Sequence, residues 1–222
     1  MHATHHLTRV ILMAVLCFIP ISGLAQGSLN YQNAQFGQED YVFLPDPNNP
    51  TVPKIGGRIG DYGGFAKVAG PGYYAELWWA PGEDLIGATL ASVPGSRVTF
   101  RSGSTAGLFN GRSKLEIPGT YGGDKVVLQL RVWENLGGLL QTWEAALNTS
   151  GIARGESNRF LHELDGIDRN GKPKLGTGST AVGLPNFSLA LAVPEPGYLG
   201  FFLIGLAWIK PFSRKSHLCS TK

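Results

Sequence analysis

The sequence has two cysteines in 222 residues, Cys17 and Cys219, one near each end. The long interior between them has none. That excludes a disulfide framework, a thiolate metal site and a cysteine nucleophile from the body of the chain. Charge is also scarce, at 16% of residues against about a quarter in an ordinary soluble domain. A long solvated helix or a polyelectrolyte tail is thereby excluded. The net charge of +3 belongs to the ends, because Arg9, Lys210, Arg214, Lys215 and Lys222 all lie there. Residues 26–193 hold 14 basic and 15 acidic side chains and are near neutral. No basic face is implied, so nucleic acid is not an expected partner. Histidine is scarce too, His162 being the only one in that interior. No apolar run reaches the roughly 20 residues of an ideal membrane-spanning helix.

Glycine, by contrast, is abundant: 27 of the 31 fall in residues 26–193. Such a density weakens helices and supplies the backbone freedom of tight turns. Between the Gly and Pro clusters lie short aromatic and β-branched runs: Asp40–Leu44, Gly64–Val68, Tyr73–Trp79, Ser96–Arg101, Lys125–Trp133 and Asn158–Leu164. Alternation places Val126, Leu128, Leu130 and Val132 on one face, with Gln129 and Arg131 on the other. Likewise Tyr73, Ala75, Leu77 and Trp79 oppose Tyr74, Glu76 and Trp78. Residues 167–185 read as a long loop and Asn186–Val193 as a last strand. Leu139, Leu140, Trp143 and Leu147 form one helical stripe, stopped by Gly151 and anchored through Trp133 and Trp143. The pattern predicts an all-β fold, an antiparallel β-sandwich with one short helix over an open end.

Candidate catalytic residues are few. His162 with Ser157 and Asp165 has the composition of a triad, but strand alternation puts His162 on a packed face beside Phe160 and Leu164. Glu83-Asp84, Glu39-Asp40 and Asp165 with Asp168 offer carboxylate pairs of the type a glycosidase needs; turn chemistry accounts for them equally well. Asp168-Arg-Asn170-Gly171 matches part of a calcium loop but has Gly166 where an acid belongs, so a turn on Asn170-Gly171 is expected. A looser calcium site from Asp165 and Asp168 stays open. No catalytic group, cofactor or resident metal is assigned. Trp78-Trp79 beside Tyr74 is the candidate carbohydrate-binding cluster, since an exposed aromatic face stacks on sugar rings. Burial under a neighbouring strand or the helix is the alternative.

The ends read as targeting segments. Arg9, the apolar run Val10–Ile19, Pro20, then Gly23 and Ala25 have the order of a secretory signal peptide cut after Ala25. Three segments follow: 1–25 a signal peptide, 26–193 the β body, 194–222 a tail. In that tail Pro194-Glu195-Pro196 precedes an apolar stretch, 197–209, and the basic residues Lys210, Arg214 and Lys215. With its flanks that stretch makes a single membrane helix of about 197–212, basic end cytoplasmic and body outside.

A Pro-Glu-Pro motif, a short apolar helix and a basic end, together with a signal peptide, resemble the PEP-CTERM sorting tail of Gram-negative bacteria. The resemblance covers about residues 190–222. It implies an inner-membrane-anchored precursor, cleaved near Pro194-Glu195-Pro196 by an exosortase, a membrane-embedded cysteine transpeptidase-like enzyme. Delivery to the cell surface or extracellular polymer matrix then follows. The expectation is a surface protein with a structural or interaction role. A carbohydrate-binding module, a hydrolase and a permanently anchored protein are the rivals.

Overall fold

The computed structural model describes residues 26–35, 38–109, 111–175 and 186–193. The expected signal peptide and sorting tail lie outside these residues. Among the described residues no helix is long and apolar enough to cross a membrane.

Two long strands form the centre, Tyr73–Pro81 and Lys125–Glu134. They pair antiparallel along their full length, from Tyr73 opposite Glu134 to Pro81 opposite Val126. Their alternation is the reason: each places small or branched apolar side chains on one face at every second residue. Ala75, Leu77, Val126, Leu128, Leu130 and Val132 all enter the main core, essentially inaccessible to solvent. On the far edge of Lys125–Glu134 lie Ala153–Glu156 and then Phe160–Glu163, followed outward by Ala190–Leu191. Ala91–Ser92 and Val98–Thr99 border the other edge.

The facing layer consists of shorter pieces. Gly27–Tyr31 pairs antiparallel with Arg112–Ile117, two strands the sequence reading did not single out. Leu29, Tyr31, Leu115 and Ile117 point into the core, while Lys114 and Glu116 point out. Val42–Phe43 pairs parallel with Phe187–Ser188, a departure from the expected antiparallel pattern. A parallel pair needs a long crossover, and here nearly the whole body intervenes. Val42, Val68, Phe109, Phe187 and Leu189 complete the core from this side. The architecture is therefore all-β, mostly antiparallel, with one short helix.

That helix differs from its expectation. It spans only Trp143–Leu147, with Thr142 as N-cap accepting the Ala145 N–H at 3.2 Å. Thr142 is extended, at φ −132° and ψ 156°, so the helix starts after it and does not reach back to Leu139, although Leu139 itself has helical angles. Leu139 is 80% and Leu147 46% exposed, and the buried residues are Trp143 and Ala146. The helix covers the outer face of the central sheet, not an open end. Trp133 and Trp143 do make the expected contact, edge to face at 6.1 Å. The Trp133 indole N–H is satisfied by Leu140 O at 3.0 Å.

The stretch expected as a loop from 167 contains a hairpin. Gly166–Ile167 pairs with Pro173–Lys174, and Gly171 at φ 77° donates its N–H to Asp168 O. The Asn170-Gly171 turn is thus where the sequence puts it.

Candidate functional site

Adjacent strand residues point to opposite faces, and the three aromatic candidates are divided accordingly. Tyr74 and Trp78 stand on the outer face of the central sheet; Trp79 stands on the core face.

On the outer face, Trp78 lies opposite Gln129, two residues along the strand from Arg131. The Arg131 guanidinium sits over the Trp78 ring with its carbon 3.9 Å from the centroid, and 5.3 Å from that of Trp143. Glu156 Oε2 lies 3.4 Å from Arg131 Nε. The Trp78 indole N–H donates to Glu76 Oε2 at 3.1 Å. Burial raises the Glu76 pKa above the usual carboxylate range, and that hydrogen bond opposes the rise. Burial likewise lowers the Arg131 pKa, with Glu156 acting against it. Tyr74 meets the edge of Trp133 at 5.8 Å, and Arg97 covers its ring at 5.1 Å. These rings therefore have cations where a sugar would stack, in cation–π contacts of ordinary geometry.

Trp79 has a different setting. It lies near the end of its strand, opposite Leu128, where the facing layer turns away at Pro118-Gly119. The two layers part there and leave a cleft of about 470 Å³ lined by Trp79, Thr120, Asp124, Lys125, Val126 and Arg169, among others. Asp124 Oδ2 accepts the Tyr121 N–H at 2.9 Å and lies 3.3 Å from Arg169 Nη2. Arg169 is carried into place by the tip of the 166–174 hairpin and sits 5.1 Å over the Tyr121 ring. Lys125 pairs with Glu83 at 2.9 Å. Lys125 and Glu83 are exposed, and Arg169 is 70% exposed against 28% for Asp124, so water screens both ion pairs. They can exchange their partners for a ligand. Asp124, Lys125, Tyr121 and Arg169 were not singled out from the sequence. Only the hairpin turn brings Arg169 to Asp124, 45 residues away.

The remaining candidates do not converge. His162 lies opposite Val126, while the Ser157 hydroxyl accepts the Leu130 N–H at 3.0 Å. Four residues of one strand separate those points, about 13 Å at 3.3 Å per residue. Ser157 Oγ also donates to Asn158 O and thereby bridges an interruption between two edge strands. The Asp165 backbone pairs with Ser28. Asp168 Oδ1 accepts the N–H groups of Asn170 and Lys172 at 2.8 and 2.9 Å. Asp84 caps Ile86 and Gly87 in the same way, and these bonds hold its pKa below the usual range. Among the described residues no three His, Cys, Asp or Glu side chains form a metal-binding group. The Pro194-Glu195-Pro196 motif and its basic residues lie outside the described chain.

His162 has a consequence for stability. It is 5% exposed, its Nε2 has no hydrogen-bond partner, and burial pulls its pKa below 6.5 against Asp165 and Glu163. The folded state thus favours the neutral ring, and the unfolded chain takes up the proton first. Stability should hold above pH 6.5 and fall as the pH drops through that value toward the folded pKa. Urea midpoints between about pH 7.5 and 5 should decline for the natural chain and stay flatter for His162→Gln. Parallel curves would remove this role from His162.

No protein-family model, no curated protein and no solved structure matches the chain.

Proposed function

We propose that the chain is an exported surface protein, a β-sandwich body sorted through its C-terminal tail, with a structural or interaction role. The observation that carries this reading is the order of parts in the tail: Pro194-Glu195-Pro196, the apolar stretch 197–209, then Lys210, Arg214 and Lys215. Paired with a signal-peptide pattern ending at Ala25, it specifies passage across one membrane and retention at it. An exosortase-type enzyme is the partner that this order implies, and the cell surface or extracellular matrix is the destination. Local chemistry favours an interaction role over catalysis. Three of the side chains with catalytic potential, Ser157, Asp84 and Asp168, are each engaged by backbone groups in turns or strand breaks.

Intact-mass spectrometry of the protein recovered from its native cells tests the reading. The expected mass begins at Gln26 and ends near Pro194–Pro196. A mass that retains residues 197–222 would replace processing with permanent anchorage, and a mass that retains residues 1–25 would remove export itself.

A further inference from the structure

The cleft at the parting of the two layers combines three features of a small-ligand site. It is concave, its volume of about 470 Å³ falls within the usual range for such sites, and an indole lines it. Apart from the Thr120 hydroxyl, which donates to Ile117 O, its polar side chains are charged and held in loose pairs. Arg169 reaches Asp124 through Nη2 alone, at 3.3 and 3.4 Å, and its side chain is 70% exposed. The other guanidinium donors and two of the three Lys125 ammonium donors are left for a ligand. Asp124 keeps acceptor capacity beyond the Tyr121 N–H and Arg169.

The charges decide the ligand class. Asp124 balances Arg169, and Lys125, the remaining charge of the lining, is paired at 2.9 Å with Glu83 beyond it, so little net charge is left to attract a phosphate or a polyanion. An uncharged ligand must then satisfy donors and acceptors that alternate over short distances, with one apolar face to lay against Trp79. A sugar ring does both: its C–H face suits an aromatic, and its neighbouring hydroxyls each donate and accept. A planar guanidinium beside a carboxylate matches two adjacent hydroxyls. Trp78, already covered by Arg131, offers no equivalent surface.

We propose that the cleft formed by Trp79, Asp124, Lys125 and Arg169 is a binding site for a neutral saccharide. The site is independent of how the tail is processed, so the mass measurement and the following experiment fail separately.

The complete chain, held in lauryldimethylamine oxide so that no detergent sugar competes, is titrated with cellotetraose, maltotetraose and chitotetraose. Calorimetry gives the affinity. The Trp79 indole N–H signal, assigned through Trp79→Phe, reports the place. At least one tetraose should bind and shift that signal. Arg169→Ala should weaken binding about tenfold or more, since each tenfold is a modest free-energy change for a lost charged hydrogen bond. Its melting temperature should match the natural chain, because the Arg169 pair is exposed. Trp78→Phe on the opposite face should bind as the natural chain does. No binding by any of the three to folded protein would overturn the proposal. So would undiminished binding by Arg169→Ala, or, with polygalacturonate titrated as the anionic control, binding confined to it and abolished by salt.

Discussion

Trp133→Ala should cost about 3–5 kcal/mol of folding free energy, a large share of the roughly 5–15 kcal/mol a domain possesses. Trp133 is completely buried and is the anchor of the second core on the outer face, with Trp143, Ala146 and Ile152. Truncation would leave a void beneath the short helix and deprive Leu140 O of its indole donor. Trp143 and Tyr74 would each lose an edge-to-face partner. The helix has five residues and no propensity to exist alone, so it depends on this packing. Urea unfolding measures the loss as a lower midpoint at constant slope. The companion Leu139→Ala, at 80% exposure, should change stability by no more than about 0.5 kcal/mol. If Leu139 proved as costly as Trp133, the helical stripe read from the sequence would be right and the packing described here wrong.

Gly122→Ala should be comparably damaging, at about 3 kcal/mol, the upper part of the range for overpacking. A Cβ at Gly122 would lie 2.5 Å from the Gly166 carbonyl carbon and 2.9 Å from its Cα. Both are backbone atoms, so no side chain can swing aside. Gly122 also donates its N–H to Ile167 O at 2.9 Å, docking the 166–174 hairpin on the loop that carries Asp124. Forced apart, the two segments would separate Arg169 from Asp124 and open the cleft. The readouts are a lower urea midpoint and faster proteolytic cutting within 165–175. Gly60→Ala has open space and an ordinary φ, and should be nearly silent. Silence at Gly122 instead would mean the hairpin does not sit against that loop.

What was legible in the sequence follows from period. Val126 to Val132 and Tyr73 to Trp79 alternate because each strand buries one face, and their two faces were assigned correctly. Lys114-Leu115-Glu116-Ile117 alternates as clearly, but without an aromatic ring it stands out less than its neighbours. Ser157 stands out in the sequence only as a nominal triad partner of His162, and nothing local marks its hydroxyl as the group that bridges two edge strands. The helix starts later than the stripe of leucines implies, because Thr142 inside that stripe is extended and caps the helix with its own hydroxyl. The pairing of Trp78 with Arg131, 53 residues on, depends on the register of two strands, which no local signal contains. The cleft is farther still from local reading, since it exists only where two layers and a hairpin tip meet.

The segment Phe187–Leu191 has a place in time as well as in space. Its first residues pair with Val42–Phe43 in one layer and its last with Ala153–Arg154 in the other. The Tyr41 N–H finds its acceptor, Asn186 Oδ1, 145 residues downstream. A chain delivered N-terminus first must hold the edges around Val42 and Ala153 unpaired until this last piece arrives. Closing so long a loop is slow, and open strand edges are prone to pair with the wrong partner meanwhile. Completion of the fold is therefore tied to complete delivery of the chain. A body cut short before Asn186 would keep its central strand pair and lose the stitch that joins its two layers.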